Sequence, residues 1–222
     1  MSGVLLFDLD GTLLDIDHLH YEAWRQQVAI HGLELDQQRY RTQVMGFPNH
    51  TILADLVPQL SSEQGAALVE AKEVLFRSLA TDLVPAAGLA DFLDWADGLG
   101  ARYGVVTNAP RPNAEQELAG IGMTERFEIV VIGDELAHAK PHPLPYLTGL
   151  DRLGGTAANS VAFEDSISGI RAALAAGLAV VGLTTGLSAE RLIEEGVGLA
   201  VPHFDDPRLR PFVAACLESV PA

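Results

Sequence analysis

Two aspartates, Asp8 and Asp10, follow the short apolar run Val4-Leu5-Leu6-Phe7, and Gly11-Thr12 comes directly after them. In open α/β sheets, ligands bind at the carboxyl ends of strands. Residues two apart in extended backbone point to the same side, so these carboxylates would converge on one spot. Gly11 adds a backbone that lets amides approach a phosphate. Two adjacent carboxylates are costly unless one is protonated or both face a metal. A single aspartate after a strand reads first as a turn or cap residue. The full string Asp-x-Asp-Gly-Thr is another matter, with a chance expectation on the order of 10⁻³ at average composition.

Further polar groups follow later apolar runs. Thr107-Asn108 comes after Val105-Val106, a hydroxyl and an amide that could also cap a helix. Lys140-Pro141 leads into a helical pattern, where the lysine alone would be a solvated loop residue. Glu164-Asp165-Ser166 comes after Val161-Ala162-Phe163 and could be a capping cluster. Gathered at one sheet edge, the set has a common purpose. Four carboxylates (Asp8, Asp10, Glu164 and Asp165) need a hard dication, and oxygen-only ligation points to Mg²⁺. With the metal and Lys140 in place, the pocket attracts a phosphate dianion.

The elements that must position these groups are legible as alternation. Continuous apolar runs at Val4 to Phe7, Tyr103 to Thr107, Phe127 to Ile132, Ser160 to Phe163 and Ala179 to Leu183 predict strands buried on both faces, with a weaker one at Leu199 to Pro202. Helical patterns lie between them, at Ala86 to Leu99, Asn113 to Gly120, Pro143 to Leu153, Ser166 to Ala176 and Ser188 to Glu195. This is the signature of βαβ units and an α/β fold, a Rossmann-like parallel sheet with helices on both faces. One stretch breaks the rule. From Ile16 to Leu83 only helical patterns occur: His18 to His31, Gln37 to Met45, Thr51 to Leu56 and Ser62 to Ala80. Residues 16–83 are therefore expected to form an inserted all-helical domain, and 1–15 with 84–222 the α/β core.

The chain carries 14 basic and 30 acidic side chains, a formal charge of −16. No basic surface exists to displace counterions, which excludes nucleic acid as the expected partner, and anionic membranes are excluded likewise. The field also repels a phosphate ester, so a phosphate site must be made locally positive by a metal, a lysine or aimed amides. A lone cysteine, Cys216, permits no internal disulfide and reads as a small apolar residue of a C-terminal helix. With no signal-peptide pattern and no membrane-length apolar stretch, the expectation is a cytoplasmic protein. The acidic surface favours a monomer.

At these residues the sequence resembles the haloacid dehalogenase superfamily, in the helical-cap subgroup that includes β-phosphoglucomutase and phosphoglycolate phosphatase. Four motifs match in order across essentially the whole chain: Asp8-Leu9-Asp10-Gly11-Thr12, Thr107-Asn108, Lys140-Pro141 and Glu164-Asp165. The resemblance implies that Asp8 is the nucleophile and Asp10 the general acid, then base. It implies Mg²⁺ held by Asp8, Asp165 and the Asp10 carbonyl, with Glu164 behind them. Gly11, Thr107 and the amide of Asn108 would hold phosphoryl oxygens, Lys140 would offset charge, and Gly11 to Asp17 would form the mobile turn of a cap.

Within the superfamily, dehalogenases need no acid two residues after the nucleophile, so Asp10 favours phosphoryl chemistry. A mutase of the β-phosphoglucomutase kind is the competing reading, since His20 and Trp24 resemble the start of its cap. A mutase must also grip a second phosphate. The loop Met45-Gly46-Phe47-Pro48-Asn49-His50 has no basic residue, and no Lys or Arg occurs between Arg41 and Lys72. This departure points to hydrolysis of a small monoester with a neutral or weakly polar remainder. Cap and mouth contacts are expected from His20, Trp24, Gly46, Phe47, Asn49 and Arg111. His138 and His142, which flank Lys140, read as loop histidines. A phosphorylated receiver domain, or a non-catalytic binding protein on this fold, is the remote alternative. The former is disfavoured by the insertion and by an acceptor on the first strand.

Overall fold

The computed structural model describes residues 3–45, 47 and 49–218. Six strands form a single sheet: β1 (Val4–Phe7), β2 (Arg102–Thr107), β3 (Ile129–Ile132), β4 (Ser160–Glu164), β5 (Ala179–Leu183) and β6 (Leu199–Val201). Their order is β3-β2-β1-β4-β5-β6, and every pairing is parallel. β1 is therefore central, and the strand order reverses beside it. Such a switch point opens a crevice at the carboxyl ends of the strands.

The parity of β1 explains the two cores. Val4 and Leu6 face a cluster with Val106, Ala162, Tyr146, Leu150 and Ile170. Phe7 faces the other way, stacked on Phe163 with centroids 4.4 Å apart and surrounded by Phe92, Phe127 and Phe204. The first face is covered by α7 (Leu144–Arg152), α8 (Ile167–Ala175) and α9 (Ala189–Glu194), which supply Tyr146, Ile170 and Leu192. The second carries Phe92 of α5 (Leu89–Asp97), and α10 (Leu209–Leu217) packs against β4 and β6. A further helix, α6 (Arg111–Gly120), follows β2.

The chain divides into two compact units, one of Met1–Asp15 with Leu83–Ala222 and the other of Ile16–Asp82. Among the described residues the second holds four helices: α1 (Asp17–Ala29), α2 (Gln37–Gln43), α3 (Asn49–Leu56) and α4 (Ser62–Leu79). Their starts follow local chemistry. Asp36 accepts the Arg39 amide at 2.7 Å, and Ser61 with Gln64 forms a reciprocal capping box. The unit has its own apolar core of Trp24, Val28, Leu35, Tyr40, Val44, Ile52, Leu56, Val57 and Leu68. Among the described residues, no helix is long and apolar enough to cross a membrane.

Several element boundaries shift by one to three residues from the sequence expectation, and two of the shifts have a visible cause. The helix expected from Ala86 begins at Leu89 because Gly88 adopts a left-handed φ of 77°. There a Cβ would lie 2.3 Å from the Asp205 carboxylate. The strand expected from Phe127 begins at Ile129, since Thr124–Arg126 forms a 3₁₀ turn that delivers Phe127 to the aromatic cluster.

Candidate active site

Asp8 is the first residue beyond β1, and its amide donates to the Phe163 carbonyl at 2.9 Å, which holds it against β4. The parity of Leu6 continues to Asp8, and that of Ala162 continues to Glu164. Both carboxylates thus fall on the face covered by α7. Lys140, four residues before α7, meets them there: its Nζ donates to Asp8 Oδ1 and to Glu164 Oε1, each at 2.6 Å. Asp8, Lys140 and Glu164 are all buried. Oxygens of Asp8, Glu164 and Asp165 lie within 4.8 Å of one another.

Backbone geometry makes room for this crowding. Gly11 sits at φ 76°, and a Cβ there would lie 2.1 Å from Asp165 Oδ2. In α8, a Cβ on Gly169 would overlap the Glu164 carboxylate at 1.8 Å. Ser166 caps α8 by accepting the Gly169 amide at 3.0 Å and donates its own hydroxyl to Glu164 Oε2 at 3.2 Å. Asp10 is placed differently from the expectation of continuous extended backbone. The chain turns after Asp8, with the amides of Thr12 and Leu13 donating to the Leu9 carbonyl. Asp10 nevertheless stays close enough to raise the pKa of both Asp8 and Asp165. The Thr185 hydroxyl ties this turn to the loop after β5 by donating to the Gly11 carbonyl at 2.6 Å.

Thr107 closes β2, buried, with its Oγ1 accepting the Ala109 amide at 2.9 Å. The Asn108 side chain makes a two-way contact with the Lys140 backbone: Nδ2 donates to the carbonyl and Oδ1 accepts the amide, both at 3.2 Å. Gly133 permits this approach, since a Cβ would stand 2.4 Å from Asn108 Oδ1. Arg111, at the start of α6, forms a bidentate pair with Glu135 at 2.6 and 2.7 Å and a longer contact to Glu115. His138 and His142 are exposed, with their rings tilted against each other at a centroid distance of 4.5 Å.

In the helical unit, Trp24 belongs to the apolar core. His20 is stacked on Phe76 at 4.1 Å, and its Nδ1 lies 2.9 Å from Lys72 Nζ, which also pairs with Glu73. Phe47 and Asn49 are exposed. Gly46 lies outside the described residues. Sequence reasoning passed over Lys72 as a partner of His20 because 52 residues separate them. It also passed over Tyr146, whose hydroxyl donates to Glu164 Oε1 at 2.5 Å.

The electrostatics follow from burial. Desolvation first, and then Glu164, pushes the Asp8 carboxyl up to about 8, against the pull of Lys140. Asp165 is raised well above the carboxylate range by burial and by Asp8 and Glu164. Burial opposes the charge on Lys140, yet Asp8 and Glu164 outweigh it and raise its pKa. Burial, with Glu164 beside it, keeps Tyr146 protonated as a donor. When these carboxylates ionise, a single ammonium leaves negative charge in excess in a largely buried site, which is why their pKa values rise. An all-oxygen donor set with that excess fits a hard dication such as Mg²⁺.

A parallel sheet with acids and a lysine at its carboxyl edge, interrupted after β1 by a helical unit, is the plan of a cap-bearing α/β hydrolase. The family described as haloacid dehalogenase-like hydrolase matches residues 5–183, and the chain belongs to that family. Over 201 residues it is 34% identical to validoxylamine A 7'-phosphate phosphatase of Streptomyces hygroscopicus subsp. limoneus, covering 89% of this chain and 92% of the relative. Over 178 residues it is 33% identical to fructose-1-phosphate phosphatase YqaB of Escherichia coli (strain K12), covering 80% and 94%. A crystal structure of a CbbY mutant from Rhodobacter sphaeroides in complex with xylulose-(1,5)bisphosphate superposes with a TM-score of 0.81 at 27% identity, covering 93% and 96%. The protein is a hydrolase acting on small phosphate monoesters.

Proposed function

We propose that this hydrolase is magnesium-dependent and passes the phosphoryl group of its substrate to Asp8 before releasing it to water. The observation that carries the reading is Lys140 Nζ 2.6 Å from Asp8 Oδ1, with oxygens of Glu164 and Asp165 within 4.8 Å of that carboxylate. Asp8 attacks phosphorus and the ester P–O bond breaks. Asp10 gives its proton to the leaving oxygen, then takes one from the water that attacks the aspartyl phosphate, so Asp8 returns as a free carboxylate. Lys140 offsets charge on Asp8 and on the phosphoryl group. The Thr107 hydroxyl, with the amides of Asn108 and of the turn at Gly11, holds the phosphoryl oxygens. Asp8, Asp165 and the Asp10 carbonyl would hold Mg²⁺, with Glu164 behind them. When bound, the ion supplies Lewis-acid neutralisation of phosphoryl charge.

The substrate class we favour is a sugar monophosphate, whose remainder is neutral, ahead of a phosphoglycolate-type ester, whose remainder carries a carboxylate. Its support is the absence of Lys and Arg between Arg41 and Lys72, together with the sugar-phosphate phosphatase among the relatives. The exposed Phe47 and Asn49, with neighbouring Gly46, are the proposed cap contacts. His20, Trp24 and Arg111 belong to the same proposal, although Lys72, the helical core and Glu135 respectively already engage them. A cytoplasmic monomer with no nucleic-acid or membrane partner fits the charge of −16.

A steady-state panel of phosphate monoesters with and without Mg²⁺ tests the reading, with β-glucose 1-phosphate plus its bisphosphate activator as the mutase arm. Mg²⁺-dependent phosphate release from a small sugar phosphate is expected. Full activity after chelation, or isomerisation outpacing phosphate release, would overturn it.

A further inference from the structure

We propose that Tyr146 is a positioning residue for the nucleophile: through Glu164, its hydroxyl fixes the Lys140 ammonium against Asp8. The inference rests on the reading of Asp8 as nucleophile and assigns a task to a side chain that reading leaves idle.

Tyr146 sits on the first turn of α7 and is completely buried among Val4, Leu6, Val106, Leu150, Ala162 and Ile170. Packing alone would be satisfied by phenylalanine. A hydroxyl in such an apolar setting is costly unless it is hydrogen-bonded, and this one donates to Glu164 Oε1 at 2.5 Å. The same oxygen accepts Lys140 Nζ at 2.6 Å. Ser166 donates to the other oxygen at 3.2 Å. Glu164 is thereby gripped at both oxygens and is itself fully buried. Lys140 Nζ also stands 5.2 Å from the Tyr146 ring centroid, so ring and hydroxyl bound the space in which the ammonium lies.

The consequence is geometric. Lys140 reaches the site on a flexible stem with rotatable donors. Its aim at Asp8 depends on the second anchor, Glu164, and the direction of that carboxylate depends on its own donors. Without the Tyr146 hydroxyl, the shared oxygen keeps only Lys140 as a partner among the described residues. The carboxylate can then turn about its terminal torsion, and the ammonium follows it away from Asp8. Groups that orient residues in contact with the reaction affect rate more than ground-state binding when the reacting phosphoryl group is what they serve.

The test is Tyr146→Phe, which removes one buried oxygen and keeps the ring, assayed with p-nitrophenyl phosphate and saturating Mg²⁺. The expected result is a fall in kcat of roughly 10–100-fold, the range for groups supporting active-site ligands, with KM changed less than about twofold. A double-mutant cycle with Glu164→Gln supplies the readout that a packing role would not move. If Tyr146 acts through Glu164, its effect on kcat disappears in the Glu164→Gln background. Should Glu164→Gln not fold, Glu164→Asp replaces it in the cycle by drawing the carboxylate back from the hydroxyl. An unchanged kcat in Tyr146→Phe, or an undiminished effect in the second background, overturns the proposal. Asp8→Asn is run in parallel. Turnover surviving that change overturns the nucleophile reading itself, whereas a dead Asp8→Asn beside a normal Tyr146→Phe removes only the role of Tyr146.

Discussion

Replacing Lys140 by methionine keeps an apolar stem of similar length and removes the cation bonded at 2.6 Å to both Asp8 and Glu164. The lysine side chain is 3% exposed and that of Glu164 0%, so solvent does little to screen the loss. Breaking a buried ion pair by deleting one partner costs about 3–5 kcal/mol. At roughly 2–4 °C per kcal/mol for a chain of this size, Tm falls by about 6–20 °C. The sign with pH follows from the carboxylates. The folded pKa of Asp8, about 8, lies above its ordinary 3.8. Its protonated form therefore stabilises the fold fully below about 3.8, and that contribution is lost as pH rises to about 8. Without Lys140 the ionised cluster has no internal cation, so the difference between wild type and Lys140→Met is largest near pH 8.5 and shrinks toward pH 5. Metal-free urea unfolding at the two pH values measures it. A loss under about 1 kcal/mol at pH 8.5, or one that grows on acidification, refutes the reasoning.

The same carboxylates bind protons and Mg²⁺ in competition, so Mg²⁺ should raise Tm more at pH 8 than at pH 5.5; equal shifts in a thermal melt would count against the site. Gly11→Ala should abolish that Mg²⁺-induced shift, because its Cβ would stand 2.1 Å from Asp165 Oδ2. Gly122→Ala is the control, with φ 69° and no heavy atom within 4 Å of the added carbon, and should cost only about 1–3 kcal/mol of backbone strain while keeping the shift. Asp10→Asn should slow turnover by roughly 10²–10⁴-fold in stopped-time assays of phosphate release, and a near-normal rate would remove it from acid–base duty.

The sheet was legible because strands buried on both faces leave continuous apolar runs, as Val4 to Phe7 and Val161 to Phe163 do. The helical insertion was legible as a stretch without such runs. The groups at the strand ends were legible because Asp8, Thr107, Glu164 and Asp165 follow those runs directly. Other features depend on contacts no local pattern carries. Lys140 meets Asp8 across 132 residues, and its backbone is held by Asn108 across 32. The role of Tyr146 was hidden because an aromatic residue at helical spacing reads as core, and its ring is core; only the hydroxyl is not. Parity offered one unused signal: Glu164 lies two residues beyond Ala162 on the α7 face, which already marked it as a partner for groups from α7. The turn at Asp10 was misjudged because strand periodicity ends at the last ladder residue, Phe7, whatever the sequence beyond it.

Trapping the phosphorylated enzyme tests the central claim most directly. Enzyme mixed with excess p-nitrophenyl phosphate and Mg²⁺ is quenched on the millisecond scale, reduced with borohydride and digested for mass spectrometry. An acyl phosphate on Asp8 is reduced to homoserine at position 8, so the account predicts that product there, dependent on substrate and absent from Asp8→Asn, which should not turn over. Homoserine at another acidic residue, or no reduced residue at all while Asp8→Asn still releases phosphate, would contradict it.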